Sequence, residues 1–158
     1  METTTIIGVL TRPLKINDDK RGSLIELFRN DWWKYHVHMI YISVTQPGQE
    51  RGPHEHVRQT DMMAFVGPGV LRLRLADNRK KSKTYGIEIN TMVDQQNPSL
   101  WVIPPGVIHG YRCISDIPAM MVNFPDALYM GPFGKEEVDE IRHEKTGLTL
   151  TSPFWIKK

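Results

Sequence analysis

The sequence predicts an all-β domain, an antiparallel barrel or sandwich, and three observations carry that expectation. Short apolar stretches recur along the 158 residues, separated by Gly, Pro, Asn and Asp. Val70 to Ala76 alternates strictly, so that Leu71, Leu73 and Leu75 share one face of an extended chain and Arg72 and Arg74 the other. Helical character is confined to Lys135–Glu144, which follows Gly134, starts acidic at Glu136 and Glu137, and repeats apolar residues at Val138 and Ile141. A short C-terminal helix is therefore expected beside the sheets.

Taken in order, Ile6 to Leu14 is a short apolar run broken by Pro13, and Asp18 to Arg29 is a polar turn leading into a strand. Asp31-Trp32-Trp33-Lys34-Tyr35 is an aromatic connection suited to surface packing or a subunit contact. His38 to Thr45, with Ile40, Tyr41, Ile42 and Val44, reads as a strand, as does Met62 to Val66. In Val70–Ala76 the two arginines are expected in solvent, with a polar inner barrel wall as the alternative. Asp77 to Lys83 is a polar turn, and strands follow at Tyr85–Met92, Leu100–Ile103, His109–Ile114 and Pro118–Phe124. No internal repeat, low-complexity tract or linker interrupts the chain, so residues 1–158 read as one domain, large enough for a single buried core.

Composition narrows the function classes. A net charge of +2 is too small to argue for a nucleic acid or an anionic membrane as partner. The single cysteine, Cys113, excludes an intramolecular disulfide framework and fits a reducing compartment. The first residues, Met-Glu-Thr-Thr-Thr, lack the basic and apolar regions of a signal peptide, and no apolar run reaches the length of a membrane span. A cytoplasmic location is expected.

The chemistry concentrates between Gly48 and Gly67. His54 and His56, two residues apart, point to one face of an extended strand, and Asp61 follows five positions later. Pro104-Pro105-Gly106-Val107-Ile108-His109 sets another histidine behind a rigid turn. If the fold brings these stretches together, three imidazoles and a carboxylate converge. This order resembles the ligand order of the cupin superfamily, a small antiparallel jelly-roll barrel. The resemblance implies that His54, His56, Asp61 and His109 could hold a divalent transition metal, a donor set that suits zinc, iron, nickel or manganese alike. Two positions depart from that pattern: aspartate replaces the usual glutamate, and Cys113 replaces a downstream asparagine.

A second resemblance spans about residues 18 to 126. Asp19-Lys20-Arg21-Gly22, Glu50-Arg51-Gly52-Pro53-His54, Asp77-Asn78-Arg79-Lys80-Lys81-Ser82, the block from Leu100 through Ile103-Pro104-Pro105-Gly106 to His109-Gly110-Tyr111, and Ser115-Asp116 look like the ordered motifs of the dTDP-4-dehydrorhamnose 3,5-epimerase family. That family is a cupin-type jelly roll that works without metal. The resemblance implies an isomerase acting on a dTDP-4-keto-6-deoxy-sugar or a related nucleotide-linked keto sugar. His54 would be the base that removes a proton beside the ketone, and His109 the second active-site histidine. Arg51 would lie near the diphosphate. Arg21 and Glu26 would bind the nucleotide, often across a homodimer.

Several family positions are not matched. The stacking aromatic falls on Leu24, the active-site lysine on Asp61 or Met62, and the tyrosine acid on Val122. The aspartate partner of the histidine finds no match near Ser152-Pro153-Phe154-Trp155. Proton abstraction beside a carbonyl needs a base, a stabilised enolate oxygen and, for inversion, a donor on the opposite ring face. Tyr111, two residues beyond His109, and Tyr41, on the strand before the His54 loop, are the candidate donors. A metal on His54 would prevent that residue from acting as a free base, so the two chemistries exclude one another there. Three readings follow: a proton-transfer epimerase with altered or incomplete chemistry and no cofactor, a metal-dependent cupin isomerase or oxygenase, and a non-catalytic sugar- or nucleotide-binding cupin.

Overall fold

The computed structural model describes residues 1–29, 31–32, 35–153 and 155–156. Among the described residues are thirteen strands: β1 (Glu2–Thr3), β2 (Leu10–Pro13), β3 (Ile16–Asp19), β4 (Gly22–Ile25), β5 (Tyr41–Thr45), β6 (Glu50–Glu55), β7 (Asp61–Phe65), β8 (Val70–Asp77), β9 (Glu88–Asp94), β10 (Ser99–Ile103), β11 (Val107–Cys113), β12 (Ala119–Asn123) and β13 (Ile141–Arg142). One sheet runs β1-β2-β10-β7-β12-β5 and a second runs β13-β6-β11-β8-β9, while β3 and β4 form a separate hairpin. Among the described residues every strand pairing is antiparallel. The two sheets face each other as a jelly-roll barrel, the all-β architecture the pattern predicts.

Alternation explains the core. Leu71, Leu73 and Leu75 of β8 and Met63 and Phe65 of β7 meet Trp101, Ile103 and Tyr111 between the sheets. The other face of β7 is also buried: Met62 and Ala64 pack with Leu100, Val102, Val122 and Phe124 beneath Leu27, Phe28, Trp32 and Tyr35. The aromatic connection thus packs on its own chain, with the Arg12 guanidinium 3.9 Å from the Trp32 ring. Trp33 and Lys34 lie outside the described residues.

Two expectations are corrected. Arg72 is exposed as expected, but Arg74 is buried. It lies neither in solvent nor in the barrel. Its Nη1 donates to the carbonyls of Leu150 and Ser152 and its Nη2 to Pro153 O, while Nε and Nη2 bind Glu88 Oε2. The guanidinium also lies 4.7 Å from the Trp155 ring, so one side chain fastens the C-terminal segment to the outer sheet face. There Leu150 and Trp155 cover Ala76 and Ile108.

The expected helix over Lys135–Glu144 is absent: among the described residues there is no α-helix. The stretch is largely extended, and Ile141–Arg142 pairs with β6 as an edge strand. Phe133 and Gly134 adopt positive φ just before it, and Val138 and Ile141 stay partly exposed, so no apolar stripe drives a helix. No helix among the described residues is long and apolar enough to cross a membrane.

Candidate active site

The pairing of β6 with β11 sets His54 directly opposite His109, which puts both rings on the inner face. Their centroids lie 4.4 Å apart, with His56 5.5 Å from His54 and 5.8 Å from His109. Gly52 permits this approach. At its φ of +76°, a Cβ would stand 2.7 Å from His109 O and 3.0 Å from His54 Nδ1.

Asp61 reaches the cluster from the opposite sheet, at the start of β7. Its Oδ2 lies 3.1 Å from His109 Nε2 and 3.2 Å from His56 Nε2, and its Oδ1 accepts from Gln59 Nε2 at 2.8 Å and Asn123 Nδ2 at 2.9 Å. The far nitrogens are anchored too. His109 Nδ1 donates to Val107 O at 3.0 Å, and His56 Nδ1 donates to Asp139 O. The four residues of the His-x-His, Asp and Pro-x-Gly-x-x-His motifs therefore converge, with one ligand atom of each within 4.8 Å of the others.

Their electrostatics differ sharply. Burial would raise the Asp61 carboxyl, but hydrogen bonds from His109 and His56 hold it well below the usual range. Burial opposes charge on His56, yet the bond to Asp61 outweighs it and pushes the imidazole up to about 9. His54 goes the other way: burial first, then His109, His56 and Arg142, hold it well below an ordinary histidine despite the pull of Asp61. Burial thus favours the neutral imidazole at His54. Its Nδ1 lies 3.5 Å from Glu140 Oε1, and its Nε2 has no hydrogen-bond partner among the described residues.

These groups sit around a cavity of about 700 Å³ whose lining includes Tyr41, Arg51, His54, His56, Tyr111 and Glu140. Asp61 and His109 lie beneath it, each 1% exposed. Tyr111 Oη donates to Ser43 Oγ at 2.9 Å, so its proton is engaged. Tyr41 Oη instead accepts from Asn123 Nδ2 at 2.9 Å, leaving its own O–H free to point elsewhere. Burial raises both phenols, which keeps them protonated. Arg51 lines the cavity and donates through Nη2 to Val44 O at 3.3 Å. Arg21 and Glu26 do not line it. Arg21, 82% exposed, binds Asp19 in the β3–β4 hairpin, and Glu26 lies 3.6 Å from Arg29.

Sequence reasoning missed a group of lining residues that includes Tyr129, Asp139, Glu140, Arg142 and Glu144. All belong to the segment after β12, and from Lys135 onward a helical reading hid the extended backbone. Pairing of β13 with β6 sets Arg142 opposite His54 and so delivers Glu140 to the imidazole. Asp139 latches the same segment, its Oδ2 accepting from the backbone N–H groups of Arg58 and Gln59 at 2.9 and 2.8 Å.

Comparison with known proteins gives a consistent result. Residues 3–138 match the family model for dTDP-4-dehydrorhamnose 3,5-epimerase. The chain is 38% identical over 128 residues to Agl13 of Haloferax volcanii, described as a probable low-salt glycan biosynthesis epimerase, covering 78% of this chain and 81% of the relative. It is 34% identical over 125 residues to the spore coat polysaccharide biosynthesis protein SpsL of Bacillus subtilis, covering 78% and 82%. Among solved structures, ChmJ, a 3′-monoepimerase from Streptomyces bikiniensis in complex with dTDP-quinovose, superposes with a TM-score of 0.78 at 20% identity, covering 98% of this chain and 80% of that one. A match across most of the chain, joined to the jelly-roll barrel and its paired histidines, makes this protein an epimerase-type enzyme of the dTDP-4-dehydrorhamnose 3,5-epimerase family.

Proposed function

We propose that the protein epimerises a dTDP-linked 4-keto-6-deoxy sugar by proton transfer at a carbon beside the ketone, with His54 as the base. One observation carries this reading: His54 lines the cavity with Nδ1 3.5 Å from Glu140 Oε1 and with Nε2 unpaired among the described residues, and burial favours its neutral form. A base must be deprotonated and held by a second group to act at a defined carbon. Glu140 serves as that orienting carboxylate, in place of the late aspartate the family resemblance implies. Tyr41, whose O–H is not engaged by Asn123, donates the proton that restores the C–H bond, while Arg51 binds the diphosphate. His109 and Asp61 hold His56 and the floor of the cavity in place. The chemistry is altered from the family pattern, because the acid and the carboxylate come from other positions.

The nucleotide portion is completed by a second copy. The β3–β4 hairpin stands apart from both sheets, and its Arg21 is exposed, as suits an arm that reaches a partner's cavity in a homodimer. Mixing inactive Arg21→Ala and His54→Ala enzymes then restores activity, because one site of the heterodimer is intact. Two inactive parents that stay inactive after subunit exchange would remove the arm from the site.

The decisive assay for the reaction incubates wild-type enzyme with a dTDP-4-keto-6-deoxyhexose in deuterated water. Deuterium at a carbon adjacent to the ketone, together with a new stereoisomer, is the expected result. An enzyme that binds dTDP but neither exchanges nor converts the sugar is a binding protein instead.

A second reading rests on the convergence of His54, His56, Asp61 and His109. These residues fit a divalent transition metal: imidazoles and a carboxylate are its usual donors, and His56 and His109 are each fixed at Nδ1 by a carbonyl, as metal-bound imidazoles are. Such an ion would polarise a substrate oxygen as a Lewis acid and would remove His54 from use as a base. Stoichiometric metal in the purified protein, lost in both His54→Ala and His56→Ala, would establish this reading over the first.

A further inference from the structure

We propose that Arg142 is the catalytic cation of this site, stabilising the oxygen that becomes negative when His54 removes the substrate proton; the inference rests on the base reading above. Breaking the C–H bond sends its electron pair into a new C=C bond and the carbonyl pair onto oxygen. That oxygen needs a donor already in position. The described lining of the cavity holds no lysine, and its guanidiniums are Arg51 and Arg142.

Arg142 is tied to the base. It is the Cα partner of His54 across β13 and β6. Its Nε donates to Glu140 Oε2 at 2.6 Å, and Oε1 of the same carboxylate lies 3.5 Å from His54 Nδ1. One carboxylate therefore holds the cation by a hydrogen bond and lies beside the base. Glu140 engages only Nε. Among the described residues, Nη1 and Nη2 of Arg142 have no hydrogen-bond partner, and the side chain is 40% exposed on the cavity wall. A guanidinium keeps its charge throughout the working pH range and presents two forked donors to a single oxygen. It also offsets the negative charge of Asp139, Glu140 and Glu144, which line the same cavity and would otherwise repel an enolate.

The proton balance closes without another reactant. The substrate proton moves to His54 Nε2, the enolate oxygen is held by the Arg142 Nη groups, and Tyr41 delivers a proton to the opposite face as the carbonyl re-forms. His54 and Tyr41 then return to their starting states by exchange with water.

Arg142 could instead grip a phosphate, and the test separates the two roles. Arg142→Gln and Arg142→Lys are compared with wild type for kcat, KM and deuterium exchange on a dTDP-4-keto-6-deoxyhexose, and for dTDP affinity by calorimetry. Losing one such donor lowers kcat by about a hundredfold to a thousandfold. We expect that loss in Arg142→Gln, with dTDP affinity unchanged and partial recovery in Arg142→Lys. A loss confined to KM and dTDP affinity would make Arg142 a phosphate ligand and overturn the inference, as would an unchanged kcat. Wild-type enzyme that shows no exchange would overturn the base reading and this inference together, whereas exchange that survives Arg142→Gln would overturn this inference alone.

Discussion

Replacing Asp61 with asparagine keeps the shape of the side chain and deletes the charge at the centre of the histidine cluster. The carboxylate accepts at 2.8 and 2.9 Å from Gln59 and Asn123 and lies 3.1 and 3.2 Å from the Nε2 atoms of His109 and His56. An asparagine oxygen can still accept from Gln59 and Asn123. Its amide nitrogen, however, faces two imidazole nitrogens that must then give up any proton they carry. Hydrogen bonds to a charged partner contribute about 1.5–3 kcal/mol, against about 1 kcal/mol for neutral ones. Downgrading two of them, within the range for breaking a buried ion pair, costs about 3 kcal/mol. For a domain of this size that lowers Tm by about 6–12 °C. Urea unfolding of metal-free protein at pH 7, followed by tryptophan fluorescence, measures the loss. The same variant should lower the His56 titration from about 9, since both contributions of Asp61 are lost while burial opposes the remaining support from the Asp139 carbonyl and Glu140. A loss under about 1 kcal/mol, or a His56 that titrates unchanged, would refute the charge-sharing network.

Other expectations concern the groups around it. His56 has a folded pKa of about 9 against roughly 6.5 unfolded, so its contribution to stability is complete below pH 6.5 and disappears as pH rises through 9. Stability of the metal-free protein should therefore fall by up to about 3 kcal/mol across that window, and a flat profile would contradict the assignment. Arg74→Met should release the C-terminal segment, because three carbonyls and the Trp155 ring lose their common partner. Proteolysis after Lys145 should then accelerate, with a stability loss of about 2–4 kcal/mol, and a segment as resistant as wild type would show that apolar packing alone holds it.

How much could be read beforehand depended on whether the signal was local. The alternation of Leu71, Leu73 and Leu75 announced a barrel strand because period-two burial is written into consecutive residues. His54 and His109 could be paired because each follows a Gly/Pro turn into a strand, and the register then sets them face to face. Arg74 was misread since alternation says which face a side chain takes but not what later covers that face. In this chain it is the segment around Trp155, some eighty residues on. Glu140 and Arg142 were hidden for a related reason. Acidic residues with apolar spacing imitate a helix, whereas the backbone gains more by pairing with the free edge of β6 and latching through Asp139. The position of the family lysine illustrates the reverse case: Asp61 reads as a loss of function in sequence, yet in space it organises two histidines and an asparagine.

The measurement that bears most directly on the central claim is solvent-deuterium exchange into a dTDP-4-keto-6-deoxyhexose by His54→Gln beside wild type. Loss of a general base should slow exchange by about a hundredfold to ten-thousandfold, while dTDP binding persists through Arg51. Exchange at the wild-type rate in His54→Gln would contradict the assignment of His54 as the base.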